Sequence, residues 1–447
     1  MAPSNTPDPA SAEGKPSGAP GQFRRDPVYE RWRWQIFAIT WLAYAGLNLT
    51  RKSFPVVKSQ LGAGTAIGLT TAQMGWIDGS FLAAYAIGQF FAGSAADRLG
   101  VRKVALAGMV CSAAVGLAMG SASTAAGFAA WYLIQGFCQA TGWAPLLKNM
   151  GEFFSRRERG TVMGLWCTNY AIGGMAASAL AGVAGEAFGW RFAFFVPALG
   201  LLIVACLFFI FQRNRPEDVG LPAVELYHCE GAPAPREFSA PAKENRKQGN
   251  VIGEIVANPM ILVLGMAYLF VKPARYLLLF WAPKYLSDRL GVGMAESGIL
   301  SGVFEVSGPF AIVLAGWASD RFFGSRRVPL SIVSLALLAA TFLMIDHLPH
   351  TRWALAGGLC VAGFLVYAPD MMIAGIAAVD FGTKEGAGRA AGFINGLGSL
   401  GAVAGGMLPG FALARWGWSG VFNVLAVLVL AAAILLAPKW NATPANQ

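Results

Sequence analysis

The chain of 447 residues is 55% apolar and 13% charged, with a mean hydropathy of +0.52. No water-soluble domain of this length can be clothed with so few charges. A net charge of +10 does not mark a nucleic-acid binder either, because the basic residues lie in the turns between apolar runs rather than as a patch on a soluble surface.

Residues 1–22 are rich in Pro, Ser, Ala and Gly and are expected to be disordered. They lack the basic stretch and short apolar core of a cleavable leader. Apolar runs long enough to cross a bilayer, about 20 residues each, then follow one another. They predict spans over 32–54, 74–96, 104–122, 128–153, 161–185 and 190–212. After a polar stretch come 257–285, 295–318, 328–346, 353–377, 386–413 and 417–438. Gly and Pro within several of them predict bends. The expectation is an all-α membrane protein with twelve transmembrane helices. Its parts are a cytoplasmic N-terminus (1–28), a six-helix bundle (29–212), a cytoplasmic central loop (213–255), a second six-helix bundle (256–438) and a cytoplasmic tail (439–447). The side that holds both termini carries 23 of the 34 lysines and arginines. That excess points to the cytoplasm and to an inner (plasma) membrane.

Several chemistries are excluded or disfavoured along the way. Cys111, Cys138, Cys167, Cys206 and Cys360 fall inside the apolar runs without C-x-x-C or Cys/His pairing, so they read as small core hydrophobes and not as metal ligands or disulfides. His228, His347 and His350 fall in loops, which disfavours a histidine proton relay. There is no phosphate-binding G-x-x-x-x-G-K-[ST] and no nucleophile or metal constellation, so neither an ATP-driven pump nor an enzyme is expected, and no cofactor is implied.

The chain repeats itself. Gly93-Ser-Ala-Ala-Asp97-Arg98-Leu-Gly100 joins spans two and three, and Gly316-Trp-Ala-Ser-Asp320-Arg321-Phe-Phe-Gly324 joins spans eight and nine, 223 residues later. A repeat of this period implies two duplicated six-helix halves. In each copy, glycine is expected to allow close helix contact, and Asp97–Arg98 and Asp320–Arg321 to act in gating or coupling.

Charges inside the spans are costly and mark function by default. Arg275 lies deep within span seven. Arg51 is 224 residues earlier, at the matching place in span one. Facing each other between the halves, two guanidinium forks suit a doubly charged, three-oxygen group such as phosphate. Lys272 shares a helix face with Arg275. Glu305 and Asp370 are expected to pair with these bases, to gate them or to carry a proton, and Asp78 reads as a helix cap. Tyr44, Asn48, Gln89, Asn169, Tyr170, Tyr367 and Asn395 are polar groups able to complete a binding site.

The motifs resemble the organophosphate:phosphate antiporter family of the major facilitator superfamily. They include Arg31-Trp-Arg-Trp-Gln-Ile-Phe, Arg51-Lys52, Gly142-Trp143-Ala-Pro145 and Arg156-Arg-Glu-Arg-Gly160. Pro216-Glu-Asp-Val-Gly-Leu-Pro222, Arg275-Tyr, Trp281-Ala-Pro-Lys-Tyr285 and Ala387-Gly-Arg-Ala-Ala-Gly-Phe393 complete the set. The resemblance covers residues 29–438. It implies the major facilitator fold, with twelve transmembrane helices in two pseudo-symmetric halves, and a secondary transporter exchanging an organophosphate or phosphonate for inorganic phosphate by alternating access. It places Arg51 and Arg275 on the substrate phosphate and Trp143 in the site, in a chain expected to be a monomer. The chain departs from the pattern where glycerol-3-phosphate members have a lysine (here Gln89) and a histidine (here Tyr170). Where hexose-phosphate members carry an Asp and a Lys, it has Gly392 and Asn395. Lys272, as in an animal sugar-phosphate exchanger branch, is expected to replace the missing lysine, and Asp370 to recognise an amine or hydroxyl of the substrate. The rival expectations are a proton-coupled organic-anion carrier and a transporter-like hexose-phosphate sensor.

Overall fold

A computed structural model describes residues 26–228, except 63, 66, 156 and 157, residues 259–373, except 325, and residues 387–442. The disorder expected over 1–22 and most of the central loop lie outside these residues. The first half contains α1 (Pro27–Val57), α2 (Thr71–Leu99), α3 (Val101–Ser121), α4 (Ala125–Ala140), α5 (Trp143–Phe153), α6 (Arg159–Trp166), α7 (Thr168–Phe188) and α8 (Phe192–Phe211). A short α9 (Val224–Tyr227) leads into the central loop. The second half contains α10 (Pro259–Leu290), α11 (Met294–Ser301), α12 (Val303–Phe323), α13 (Arg327–Ile345), α14 (Arg352–Met371) and α15 (Ala387–Leu436).

The expected bends explain the surplus of helices over spans. Span four breaks at Thr141–Gly142 into α4 and α5, span five breaks at Cys167, and span eight breaks at Gly302. Spans eleven and twelve run together in α15, which turns at Gly417 with φ 66°, a left-handed conformation that favours glycine. Eight described stretches are long and apolar enough to cross a membrane. α1 and α2 fall short of that standard because they carry the polar load of the interior, and α4 because it is cut short by the break. Each half closes on itself by pairs such as α1 with α7 and α8, α2 with α4, α10 with α15, and α12 with α14.

The halves meet along two seams, α2 against α15 and α7 against α11 and α12. Both seams are made by small residues. A Cβ on Gly75 would come 2.7 Å from the Met407 carbonyl oxygen, and one on Gly298 would come 2.6 Å from that of Ser178. These contacts lie on the side where α1 ends and α2 begins. The motif glycines behave otherwise: Gly93 and Gly316, expected in close helix contact, have nothing within 4 Å of a Cβ position. Asp97 pairs with Lys148 and Asp320 with Arg327 (2.8 Å), each inside its own half, while Arg98 and Arg321 are exposed.

Two further expectations are corrected, the second in part. α2 is capped by Thr70, whose hydroxyl accepts from the Gln73 amide while the Gln73 side chain accepts from the Thr70 amide. Asp78 lies two turns inside that helix, fully buried and paired with Lys58. The five cysteines named above are free: Cys111 and Cys206 are exposed rather than in the core, whereas Cys138, Cys167 and Cys360 are half-buried, Cys138 and Cys167 packing against the core. Arg33 is buried as well: it pairs with Glu30 on its own helix (2.6 Å) and ties α1 to the Phe153 carbonyl (3.2 Å) and to Glu158. Burial opposes ionisation of Glu158, but the Ser155 amide and the Arg33 guanidinium outweigh it and hold this carboxyl below its usual range.

Candidate functional site

Two helices supply the charged walls of the site by the same spacing. On α1, Tyr44, Asn48 and Arg51 fall at i, i+4 and i+7 and share one face; on α10, Tyr268, Lys272 and Arg275 do the same. Each member of one set is 224 residues from its counterpart. The two faces converge on a cavity of about 400 Å³ between the halves. Its lining includes Asn48, Arg51, Tyr85, Gln89, Trp143 and Tyr170 from the first half and Tyr268, Lys272, Arg275, Tyr276, Glu305, Tyr367, Asn395 and Ser399 from the second.

The two arginines are held differently. The Arg51 Nε and a terminal nitrogen donate to the Gln139 side-chain oxygen at 3.2 and 2.9 Å. Gln139 is itself fixed by donating to the Leu47 carbonyl and the Ser112 hydroxyl, both at 2.9 Å. The Arg51 guanidinium lies 5.2 Å from the centre of the Tyr85 ring, a cation–π distance. Arg275 donates to Asp370 Oδ2 at 2.5 Å and sits 4.8 Å from the Tyr367 ring centre. Asp370 Oδ1 accepts from the Tyr268 hydroxyl at 3.1 Å and lies 3.2 Å from Lys272 Nζ. Thus Arg51 is braced by a neutral amide, whereas Arg275 and Lys272 share one carboxylate.

Asp370 was expected to face the substrate. It is buried and is not among the residues lining the cavity. Both its oxygens are already engaged by groups of the protein. Glu305 does line the cavity, but it pairs with Lys52 and not with the two arginines or Lys272. That pair crosses between halves and is buried at both ends. Lys52 Nζ also donates to the Leu279 carbonyl at 3.4 Å, while Glu305 Oε2 has no hydrogen-bond partner.

The remaining polar candidates sit in or behind the walls. Tyr44 is fully buried and donates to the Tyr170 hydroxyl at 3.0 Å; its ring packs edge-on against Trp143 and Tyr170. The Asn48 amide donates to the Tyr44 carbonyl at 3.2 Å. Gln89, Tyr367 and Asn395 reach the cavity, whereas Asn169 is buried and is not among its lining residues. The sequence reading missed Gln139, Tyr85, Tyr268, Tyr276 and the Lys52–Glu305 pair. The offset of 224 that linked Arg51 to Arg275 also links Tyr44 to Tyr268, so one of these was within reach.

Charge decides what such a cavity can hold. Among the described residues, Lys52 and Glu305 cancel, and Arg51, Lys272 and Arg275 outnumber Asp370 by two. Buried charge without compensation is expensive, so the excess of positive charge favours an anionic ligand over a neutral or cationic one.

Comparison with known proteins places this architecture. The Major Facilitator Superfamily model matches residues 36–405 and 264–446. The glycerol-3-phosphate transporter of Bacillus subtilis is 31% identical over 94% of this chain and 94% of its own. A probable hexose phosphate transport protein of Chlamydia trachomatis is 30% identical over 93% and 92%. A bacterial homologue of the human lysosomal transporter Spinster, solved in an inward-facing and unoccupied conformation, superposes with a TM-score of 0.71 at 17% identity, covering 93% of this chain and 96% of that one. The chain is therefore a multi-pass membrane protein that belongs to the Major Facilitator Superfamily and, within it, to the organophosphate:phosphate antiporter family.

Proposed function

We propose that the protein is a secondary transporter that exchanges an organophosphate (glycerol-3-phosphate, a sugar phosphate or a related phosphonate) for inorganic phosphate by alternating access, and that it is a carrier with no catalytic step. The observation that carries this reading is the meeting of Arg51 and Arg275, from matching helices of the two halves, in one cavity with an excess of two positive charges. A phosphate monoester and inorganic phosphate each carry about −1.5 to −2 charges at neutral pH. Both therefore fit the same site, and such overlap is what exchange requires. The names of the two relatives agree with this choice of cargo.

In this reading the two bundles, 29–212 and 256–438, rock about the site as a monomer in the inner membrane with both termini in the cytoplasm. The seams on the Lys58 side are shut, which corresponds to an inward-facing carrier. An anion that bridges Arg51 and Arg275 draws the halves together on the cytoplasmic side. Opening on the other side then requires Lys52 to part from Glu305, since the two belong to different halves. A bound anion offsets that cost by as much as it binds the outward-facing arrangement more tightly than this one.

The test is uptake of labelled phosphate into proteoliposomes preloaded with phosphate or with candidate phosphate esters. Saturable exchange is expected, and Arg275→Ala is expected to reduce it at least a hundredfold. Folded wild-type protein that shows no exchange of phosphate with any ester would defeat the proposal.

A further inference from the structure

Asp370 stands behind two cavity bases and neutralises one of them. We infer that it is the residue that sets the charge of the accepted cargo: by reducing three cations to a net of two, it makes the carrier select dianionic phosphate compounds over those bearing an additional carboxylate. The inference rests on the transport reading above and deepens it.

Three observations support it. First, Asp370 is buried and absent from the cavity wall, while Lys272 and Arg275 form part of that wall. Its influence on a ligand therefore passes through the bases and their charge. Second, it is fully committed: Tyr268 and Lys272 reach Oδ1, and Arg275 reaches Oδ2. A substrate ammonium or hydroxyl would have to displace a cation of the protein to reach it. Third, among the described residues no other acid lines the cavity to change the sum, because Glu305, the one carboxylate in its described wall, is cancelled by Lys52. In a buried site a ligand is favoured when its charge completes neutrality, and an extra negative charge without a partner is penalised strongly.

The test measures two competitors of labelled phosphate exchange, glycerol-3-phosphate and 3-phosphoglycerate, at a pH well above the second phosphate pKa of about 6. The former is then a dianion and the latter a trianion. The readout is the ratio of their half-inhibitory concentrations. Wild type is expected to favour glycerol-3-phosphate. Asp370→Asn should shift the ratio at least tenfold toward 3-phosphoglycerate, while Asp370→Glu should keep the wild-type preference. The decisive variant is Lys272→Gln combined with Asp370→Asn, which returns the excess to two and should restore the preference for the dianion. If Asp370→Asn cannot be purified folded, Lys272→Gln alone still decides, because it lowers the excess to one and should move the ratio in the opposite direction. An unchanged ratio in a variant that still exchanges phosphate overturns the charge-setting role and leaves the transport proposal standing. Absence of phosphate exchange in folded wild-type protein defeats the transport proposal itself.

Discussion

At the scale of single residues, the site depends on the shape of its cations as well as on their charge. Arg51 uses Nε and one terminal nitrogen on Gln139, leaving the rest of its planar fork for a ligand. Lysine retains the charge but not the fork, and cannot hold Gln139 and a phosphate oxygen together. Arg51→Lys is expected to lower the phosphate exchange rate at subsaturating substrate by at least tenfold, with thermal unfolding in detergent within a few degrees of wild type; exchange at the wild-type rate would show that a point charge suffices. The sequence made both arginines legible, because charge inside an apolar run is conspicuous and the repeat offset paired them. It did not make their partners legible. Gln139 looks like any polar residue on a membrane helix, and its role appears only when α4 is laid against α1. Lys52 and Glu305 each stand out as intramembrane charges, but they are 253 residues apart and no periodicity links them.

At the scale of the helices, glycines that look equivalent in the sequence have different uses. Gly75 lies against the backbone of α15, with a Cβ position 2.7 Å from the Met407 oxygen and 3.3 Å from the Gly410 Cα. Backbone cannot swing aside as a side chain does, so a larger residue there holds the α2–α15 seam open. Gly93, the opening residue of the repeated motif, is free of such contact in this conformation. Its place on the opposite side of the bundle fits a contact made when that side closes instead. Gly75→Leu should therefore raise the reactivity of a cysteine at Ser399, in a background without other cysteines, toward a membrane-impermeant maleimide applied from the Lys58 side. Gly93→Leu should not raise it. Equal labelling of the two variants would mean that the α2–α15 seam does not guard the cavity. The same contrast explains what was readable in the sequence at this scale. Length and apolarity located the spans to within a few residues, and glycine and proline announced their bends. Which glycines touch depends on the conformation of the whole carrier, and one sequence serves both conformations.

At the scale of the molecule, the closed side is sealed over a pair of charges. Lys58 and Asp78 both belong to the first half and are fully buried, but their cover comes from the second. Lys58 donates to the Phe280 carbonyl at 2.9 Å and lies 3.9 Å from the Trp281 ring centre. Trp281 in turn donates to the Gly406 carbonyl at 3.1 Å, and a Cβ on Gly406 would meet that of Asp78 at 3.1 Å. When this side opens, the pair passes into water, so its burial cost belongs to one conformation only. Removing one partner of a buried pair costs about 3–5 kcal/mol, and about 3 kcal/mol corresponds to roughly a hundredfold in an equilibrium. Asp78→Asn leaves Lys58 alone under the seal, so it should drive the carrier toward the state open on this side. Spin labels at Ser123 and His350, exposed in loops on that side of the two halves, are expected to show a longer-distance population that wild type lacks. Replacing both charges, Lys58→Met with Asp78→Leu, removes the desolvation cost and keeps apolar volume, so the short-distance population should return and exchange should slow because the seal no longer yields. A folded Asp78→Asn protein with the wild-type distance distribution would show that the buried pair does not bias the two states, and that the seams of small residues alone hold this side shut.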